Sequence, residues 1–369
     1  MKRNLAIFTS ILRHAAFDRG IYLNASVSLP RKSFLDYLKP SALDEIAAYN
    51  IGEVPVSVLQ AARPFPLSYR SSTVARASGS YLVRQLRAAT RGEPYVLWLN
   101  SIYPIECNIA EAMAPRAEMV IFDSSDDMCT LEPPSDRGAA EQRLNRMLRI
   151  SHKAVCVSES VSSQIDHPHK LVFRNCTAFE SLQRVGECAI GPWLPKPSNA
   201  VYVGFIGSLM SDRADTELLG YLLQTFPKYT FLFAGWVDKK ICSILEKYPN
   251  TAMIPEVPSD RLGDIIRSFD VGIVPHAINV VTQGNDLLKL LDYSACNVPV
   301  VSTPVAGVTE KSWIAVASTR EAFADKLRRC VEGTHGLDLA VGVQYARERS
   351  WESQVPKLID WLGLQKRQA

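Results

Sequence analysis

Short apolar runs alternate with segments of helical spacing in the first half of the chain. The apolar runs at residues 5–11, 54–59, 95–100, 119–122 and 154–158 are predicted to be strands. Residues 80–89 and 139–150 instead carry apolar positions at helical spacing beside polar faces. Strands that alternate with helices indicate parallel βαβ units, and runs this apolar are typical of a sheet that is covered on both faces.

The second half repeats this alternation more regularly. Strands are predicted over residues 200–206, 230–234, 252–254, 271–274 and 298–302, and helices over 215–226, 239–248, 259–268, 286–296 and 319–333. This pattern predicts a doubly wound αβ domain. A last helix over residues 351–362 has one apolar face, which predicts that it packs back on one of the lobes.

Length and a change of composition predict two domains. The chain has 369 residues, enough for two ordinary domains with a core in each. Residues 186–199 are rich in glycine and proline and are predicted to be a linker. The expected fold class is therefore α/β, with two Rossmann-like lobes facing a cleft, an N-terminal lobe over 1–185 and a C-terminal lobe over 200–350.

Charge and cysteine spacing narrow the classes of function. The formal net charge is only +3, which does not favour a nucleic-acid partner. Residues 1–116 contain 14 Lys/Arg and 8 Asp/Glu, and Arg84, Arg87 and Arg91 lie in their most basic stretch. That stretch is an ordinary solvated face, a contact for anionic lipid or a contact for a phosphorylated acceptor. The eight cysteines show no CxxC spacing, which argues against a zinc or redox site and fits a reducing cytosol. No run approaches the roughly 20 apolar residues of a membrane span, so we expect a cytoplasmic protein whose membrane contact is at most peripheral.

Candidate ligand-binding residues follow the strands of the second half. In an open parallel sheet, ligands bind beyond the carboxyl ends of the strands. Gly207, Glu256 and His276 lie at such ends. Each also has a plainer interpretation: a glycine that ends a strand is often structural, a loop Glu is often only solvated, and a lone His is more often structural than a ligand.

The segment from Gln283 to Asp292 is the most informative. Asn285 or Asp286 would make a good N-cap, so a helix is predicted to begin there. Helix N-termini offer free N–H groups and a positive dipole end to phosphate. Lys289 falls near that end, where a cation is disfavoured unless an anion binds. The alternative is a surface ion pair between Lys289 and Asp292.

Three acids follow the strand at 119–122: Asp123, Asp126 and Asp127. A carboxylate crowded by others can have a raised pKa and act as a general base. Asp123 directly follows the strand and is expected to cap the loop, whereas Asp127 is expected to begin the next segment. Asp126 is therefore the preferred base, with Asp127 as the second candidate, and a helix-capping loop remains the structural alternative.

Taken in order, these segments resemble a group 1 glycosyltransferase of the two-Rossmann-lobe type, GT-B. The resemblance rests on residues 202–207, 231–235, 270–275, 288–295 and 297–303 and covers about residues 200 to 333. More weakly, residues 122–127 resemble an acidic segment of bacterial exopolysaccharide and teichuronic acid transferases, including a xanthan-type glucuronosyltransferase.

The resemblance implies an activity and a set of donor-binding residues. It implies transfer of a sugar from a nucleotide-sugar, such as a UDP-sugar, to a saccharide or lipid-linked acceptor in surface polysaccharide synthesis. Glu256, His276, Leu288 and Lys289 occupy the places that hold the nucleotide diphosphate. Gly284 stands where retaining members carry a Glu, which favours an inverting reaction with Asp126 as base. No metal or other cofactor is demanded.

Two other classes of function remain open. A nucleotide-sugar epimerase shares the same fold, and a non-catalytic sugar-nucleotide-binding partner would also carry the donor segments. Turnover of donor without an acceptor would favour the epimerase. Donor binding without release of nucleotide would favour the non-catalytic protein.

Overall fold

The computed structural model describes residues 3–24, 47–51, 53–60, 72–184, 200–254, 261–283, 286–305 and 308–367. The chain divides into two compact units. One comprises Lys2–Arg174 and Val355–Ala369, and the other comprises Asn175–Gln354. We call them the N-terminal and the C-terminal unit. Their division falls before position 185, where the sequence placed the end of the first lobe, and the expected linker at 186–199 lies outside the described residues.

The N-terminal unit contains two sheets within the part of the chain described. Its strands are β1 (Gly20–Asn24), β2 (Ala47–Ile51), β3 (Val54–Gln60), β4 (Val96–Leu99), β5 (Met119–Ser124), β6 (Lys153–Cys156) and β7 (Lys170–Val172). Its helices are α1 (Arg3–His14), α2 (Ser72–Thr90), α3 (Pro104–Met113), α4 (Arg137–Ile150) and α5 (Glu159–Gln164). One sheet has the order β1-β3-β2, and the other has the order β4-β5-β6-β7 with every pair parallel.

The C-terminal unit is built on one parallel sheet of six strands. These are β8 (Val201–Ile206), β9 (Tyr229–Ala234), β10 (Thr251–Ile254), β11 (Val271–Val274), β12 (Val300–Ser302) and β13 (Ala315–Val316). The helices are α6 (Phe179–Gln183), α7 (Thr216–Thr225), α8 (Lys239–Leu245), α9 (Leu262–Arg267), α10 (Val280–Gln283), α11 (Leu288–Ala295), α12 (Arg320–Val331) and α13 (Leu339–Glu348). The strand order β10-β9-β8-β11-β12-β13 is that of a doubly wound Rossmann fold.

This six-stranded sheet is covered on both faces, as its apolar strands predict. Along β8, Val203 and Phe205 join a core with the leucines of α7, whereas Tyr202 and Ile206 join a second core with Tyr293 of α11. Alternate side chains of a strand point to opposite faces, so each face of β8 has its own layer of helices. Asp215 starts α7 by accepting a hydrogen bond from the Leu218 N–H at 2.9 Å.

The first predicted element is wrong. Residues 5–11 were expected to form a strand, but they lie within helix α1. Among the described side chains of α1, Ala6, Ile7, Ile11 and Leu12 are buried. Ile7 and Ile11 are one helical turn apart, with Ala6 and Leu12 beside them, which is a helical stripe. The short run at residues 5–8 conceals this period unless the positions at 11 and 12 are counted with it.

The last helix, α14 (Trp351–Leu362), carries the chain back into the N-terminal unit at Val355. Its side chains Val355, Leu358, Ile359 and Leu362 are buried, as its apolar face predicts. Lys153 at the start of β6 donates a hydrogen bond to the Trp361 carbonyl at 2.6 Å. The end of the chain is therefore an integral part of the N-terminal unit.

Candidate functional site

The strand order of the C-terminal unit sets the place of its ligand crevice. β8 and β11 are neighbours, and the chain proceeds from them toward opposite edges of the sheet. In such sheets the crevice opens at the carboxyl ends of the two strands where the order reverses. Gly207 directly follows β8, and His276 follows β11 after one residue. Two of the residues predicted from the sequence therefore lie at the switch point.

Two glycines directly follow the neighbouring strands β8 and β9 at this edge of the sheet. Gly207 has φ +100° and Gly235, after β9, has φ +122°, a region in which other residues are strained. A Cβ on Gly235 would lie 2.6 Å from the carbonyl oxygen of Gly207, so the two strand ends pack backbone to backbone. A Cβ on Gly207 would meet nothing nearer than the Lys289 Cε at 3.9 Å. Gly207 therefore faces the Lys289 side chain at van der Waals distance.

Lys289 lies in the first turn of α11 and is held by two aromatic side chains. Its Nζ is 3.3 Å from Nε2 of His276 and 4.7 Å from the ring centroid of Phe205. Because the ammonium group donates, His276 must accept with a neutral ring. Burial, with the charges of Lys289 and Arg213, lowers the pKa of His276 to about 3, so the ring stays neutral at physiological pH.

Arg213 supplies a second cation at the same place. The loop that carries it pairs with the chain after β11, since the Ala277 N–H donates to the Arg213 carbonyl at 2.8 Å. The Nε of Arg213 is buried without a hydrogen-bond partner among the described residues. Burial and the charge of Arg213 together lower the pKa of Lys289 to about 8. In the described chain, neither cation forms an ion pair with a carboxylate.

The predicted helix start is corrected by the structure. Helix α11 begins at Leu288, and its N-cap, Leu287, makes no side-chain cap. Asp286 does not cap the helix, because its carboxylate accepts a hydrogen bond from the Asn175 N–H at 2.6 Å. The carboxylate of Asp286 thus binds the distant backbone of Asn175 and not the N–H groups of the helix that follows it. Asn285 and Gly284 lie outside the described residues, as does Glu256.

Asp292 is buried, with 8% of its surface exposed, so it is not a surface residue. Its carboxylate accepts a hydrogen bond from Thr177 Oγ1 at 2.6 Å. Burial raises the pKa of Asp292 to about 6, against the effect of the Thr177 hydrogen bond. The alternative of a surface pair between Lys289 and Asp292 is therefore wrong. Leu288, the first residue of α11, is partly exposed beside Lys289.

In the N-terminal unit, Asp123 lies within β5, whereas Asp126 and Asp127 follow it, and the three acids have different surroundings. Asp123 is fully buried and accepts a hydrogen bond from Trp98 Nε1 at 3.3 Å. Asp127 closes a turn by accepting hydrogen bonds from the Thr130 N–H at 3.0 Å and the Thr130 hydroxyl at 2.5 Å. Asp126 lines a cavity of about 840 Å³ that belongs wholly to this unit. Of the three, Asp126 is the one that lines this cavity.

Sequence reasoning missed two charged residues, Arg213 and Glu106. Arg213 follows β8 by seven positions, so the switch-point rule could have found it once the strand order was known. Glu106 lies in the first turn of α3 and lines the same cavity as Asp126. Its signal is an acid in the first turn of a helix whose residues near it, Ile105, Cys107 and Ile109, are buried.

The described part of the chain contains neither a candidate metal site nor a membrane-spanning helix. Among the residues that the structure describes, no group of three or more His, Cys, Asp and Glu side chains could hold a metal ion. No helix in the described ranges combines the length and the hydropathy that crossing a membrane requires.

The strand orders and the switch-point crevice define an α/β protein of the GT-B fold class, and solved structures share this fold. The Anabaena protein HepE, in complex with UDP and glucose, superposes with a TM-score of 0.65 at 14% identity, covering 94% of this chain and 100% of HepE. The lipopolysaccharide outer core galactosyltransferase WaaB gives 0.53 at 11% identity over 85% of each chain.

A third structural neighbour has a different activity in its description. A putative UDP-N-acetylglucosamine 2-epimerase of Listeria monocytogenes gives a TM-score of 0.51 at 8% identity, covering 93% of this chain and 95% of its own. Comparison with models of known protein families and with curated protein sequences gave no match. At these identities the structural neighbours establish the fold.

Proposed function

We propose that this protein is a glycosyltransferase that binds the diphosphate of a nucleotide-sugar at Lys289 and Arg213. One observation carries the proposal: two cations meet at the switch point of a Rossmann-type sheet without a carboxylate partner in the described chain. A pair of like charges is unfavourable unless an anion binds between them. Gly207 faces Lys289 without a side chain of its own, which would let a phosphate come close to the backbone.

The neighbours support a UDP-sugar as the donor, because HepE was solved with UDP-glucose as well as with UDP. Gly207, Leu288 and Lys289 would contact the donor directly, with His276 holding Lys289 in place. Glu256, Asn285 and Asp292 remain donor-binding candidates from the sequence. Asp292 would act through Thr177 and the position of α11, since it is buried.

The proposed reaction is a direct displacement with inversion. The acceptor hydroxyl oxygen attacks the anomeric carbon, the bond from that carbon to the phosphate oxygen breaks, and the nucleoside diphosphate leaves with the bonding electrons. Lys289 and Arg213 stabilise the charge that develops on the leaving group, a task that requires no metal. An acid of the N-terminal unit accepts the hydroxyl proton, for which the sequence points to Asp126, with Asp127 second.

A donor screen tests this proposal. Thermal-shift assays with UDP-, GDP- and dTDP-sugars identify the donor, and NMR then gives the anomeric configuration of the product. We expect a UDP-sugar to bind and the product to have the configuration opposite to that of the donor. Asp126→Asn should lower transfer by about 10²–10⁴-fold with donor affinity intact if it is the base. A product of retained configuration would contradict the inverting mechanism.

We further propose that the acceptor is a saccharide or lipid-linked saccharide of surface polysaccharide synthesis, reached from the cytoplasmic face of the membrane. WaaB, a lipopolysaccharide galactosyltransferase, supports this class of acceptor. Arg84 and Arg87 lie exposed on α2, and Arg91 lies exposed just after it. Their spacing of three and four residues places them on one helical face that would meet anionic lipid.

Co-sedimentation with anionic vesicles tests the membrane contact. Reversing the charges of Arg84, Arg87 and Arg91 should weaken binding by about 1 kcal/mol for each charge that approaches the surface. Charge reversal of Arg137, Arg328 and Lys366 is the control for net charge. Equal co-sedimentation of the α2 variant and the parent would show that this face is only solvated.

An epimerase is the second candidate, because the putative epimerase neighbour covers 93% of this chain. Both activities need the diphosphate site, so binding does not separate them. Incubation with UDP-N-acetylglucosamine without any acceptor does: an epimerase converts it to a second sugar-nucleotide, and the proposed transferase leaves its configuration unchanged.

A further inference from the structure

The cavity of the N-terminal unit has both apolar and polar walls, with the apolar part somewhat the larger. It measures about 840 Å³, within the range of sites that bind drug-sized molecules. It extends along β4 and is bounded by α1, α2 and α3. The apolar side chains from these helices are Phe8, Ile11, Leu12, Leu86, Ile109 and Met113.

Polar groups gather at one end of this cavity. Asn100 and Ser101 directly follow β4, and Ser125 and Asp126 directly follow β5. Because β4 and β5 are parallel neighbours, their carboxyl ends meet at the same edge of the sheet. Glu106, in the first turn of α3, lines the cavity together with these polar residues.

One ion pair lies at the other end of the cavity, beside the start of β4. Arg19 and Glu93 both line the cavity and form an ion pair at 2.6 Å, and Arg19 also donates to the Thr90 carbonyl. At the polar end, Glu132, another lining residue, lies 3.7 Å from Arg143, which donates to the Ile102 carbonyl. Glu106 differs from these acids, because its Oε2 is buried with no hydrogen-bond partner within the described part of the chain.

An ionised carboxylate with an oxygen that has no donor is costly, so a donor that reaches the Glu106 side chain from the cavity would stabilise its ionised form. A hydroxyl group is such a donor. A free sugar, however, would leave its other hydroxyls facing the apolar walls unpaired. The cavity as a whole therefore matches a molecule with a hydroxyl at one end and an apolar group at the other.

We propose that this cavity binds the acceptor, that the acceptor carries an apolar alkyl or aryl group next to its sugar, and that Glu106 is the base that accepts the proton of its hydroxyl. This inference rests on the proposed transfer reaction and gives Glu106 the role for which the sequence pointed to Asp126. The proton passes to Glu106 as the acceptor oxygen bonds to the anomeric carbon and the nucleoside diphosphate leaves.

Burial supports this role, since it raises the pKa of Glu106 to about 7, whereas a hydrogen bond from its own backbone N–H lowers the pKa. A base whose pKa lies near the working pH accepts a proton more readily than an ordinary carboxylate and is still ionised in part of the molecules. The groups nearest to it along the chain are Tyr103 and Cys107, both neutral because burial raises their pKa values.

The binding half of the proposal is tested with two glucosides by calorimetry. Octyl β-D-glucoside, below its micelle concentration, and methyl β-D-glucoside carry the same sugar and differ only in the apolar group. Each buried methylene should tighten binding about fourfold, so the octyl compound should bind at least about tenfold tighter even if only two are buried. Equal binding of the two glucosides, or no binding of the octyl compound, would overturn the proposal.

The catalytic half is tested with Glu106→Gln, which keeps the shape of the side chain. With UDP-glucose as donor and octyl β-D-glucoside as acceptor, this variant should lose about 10²–10⁴-fold in transfer while UDP affinity stays unchanged. Glu111→Gln is the matched control, because Glu111 lies on the same helix, pairs with Arg146 at 2.5 Å and does not line the cavity. It should keep full transfer.

Thermal unfolding confirms that each variant is folded before it is assayed. Full transfer by Glu106→Gln, or a loss confined to Asp126→Asn, would overturn the assignment and return the role to Asp126. Failure of the wild-type protein to bind UDP would instead contradict the proposed function, and the glucoside titration would still decide whether the cavity is an amphipathic site.

Discussion

The ionisation of Lys289 is the residue-scale feature with the most direct consequence for binding. Its pKa is lowered to about 8 by burial and by Arg213, so the free protein holds this cation only below that pH. A bound diphosphate favours the charged form and raises the pKa again. Binding between about pH 8 and 9.5 should therefore take up a proton and weaken as the pH rises.

Calorimetry in buffers of different ionisation enthalpy measures that proton uptake with UDP as ligand. We expect the affinity for UDP to fall by up to about tenfold per pH unit above pH 8, the limit for loss of one proton. Lys289→Met should remove this dependence. Constant affinity of the wild-type protein up to pH 9.5 would show that Lys289 does not contact the anion.

A second residue-scale prediction concerns stability and Glu106. Its pKa is raised from 4.5 to about 7 in the folded chain, so between these values the folded state binds more protons than the unfolded state. The free energy of unfolding must then fall as the pH rises through this window. Glu106→Gln, which stays neutral, should be more stable than the wild type above pH 7 by roughly 3 kcal/mol.

Denaturant unfolding at pH 4.5 and pH 8 checks this expectation, with Glu111→Gln as control. At pH 4.5 the two proteins should differ little, and at pH 8 the variant should be the more stable. An equal difference at both values would mean that Glu106 is not ionised at a cost in the folded protein.

At the scale of elements, the glycines at the ends of β8 and β9 let these strands approach at the crevice. Gly207→Ala meets no atom closer than 3.9 Å but forces a side chain to adopt φ +100°, which costs of order 1–3 kcal/mol. The melting temperature should fall, and UDP binding should weaken because the backbone beside Lys289 shifts. Gly235→Ala should be worse, since its Cβ also overlaps the Gly207 carbonyl.

Gly138 provides the matched control for these substitutions. It lies in α4 with nothing within 4 Å of its Cβ position, so Gly138→Ala should raise stability by about 0.5–1 kcal/mol. A Gly207→Ala variant as stable as the Gly138→Ala variant would contradict the conformational argument.

The elements of the C-terminal unit were largely predictable, for a physical reason. Its central strands are largely buried, so continuous apolar runs such as 271–274 mark them, and the structure confirms a fully buried strand there. Helix α1 was not predictable from its first apolar run alone, because its stripe appears only over two turns. The start of α11 was missed because the Asp286 carboxylate is engaged by Asn175, over a hundred positions away.

The residues of the candidate site also divide into those that the sequence predicts and those that it does not. Gly207 and His276 follow from the rule that ligands bind at strand ends, and Lys289 follows from its place near a helix N-terminus. The structure brings these three together. Arg213 and Glu106 could not be found from local pattern. What distinguishes them is a missing partner in a buried place, and that depends on tertiary packing alone.

On the scale of the whole molecule, each unit carries its own part of the proposed chemistry. The C-terminal unit, Asn175–Gln354, has the cationic crevice, and the N-terminal unit has the cavity with Glu106 and Asp126. The last residues of the chain belong to the N-terminal unit, where the Arg367 side chain donates to the Phe17 carbonyl at 2.9 Å. Variants can therefore test the donor and the acceptor half separately.

The most direct test of the account is a titration of UDP and UMP into the wild-type protein and Lys289→Met. If Lys289 contacts the diphosphate, the wild type should bind UDP more tightly than UMP. The variant should lose roughly 1.5–3 kcal/mol for UDP, the range for hydrogen bonds to charged groups, and little for UMP. Lys326→Met, whose lysine pairs with Glu310 in the same unit, should bind both like the wild type. Equal loss for both nucleotides, or none, would contradict a diphosphate site at Lys289.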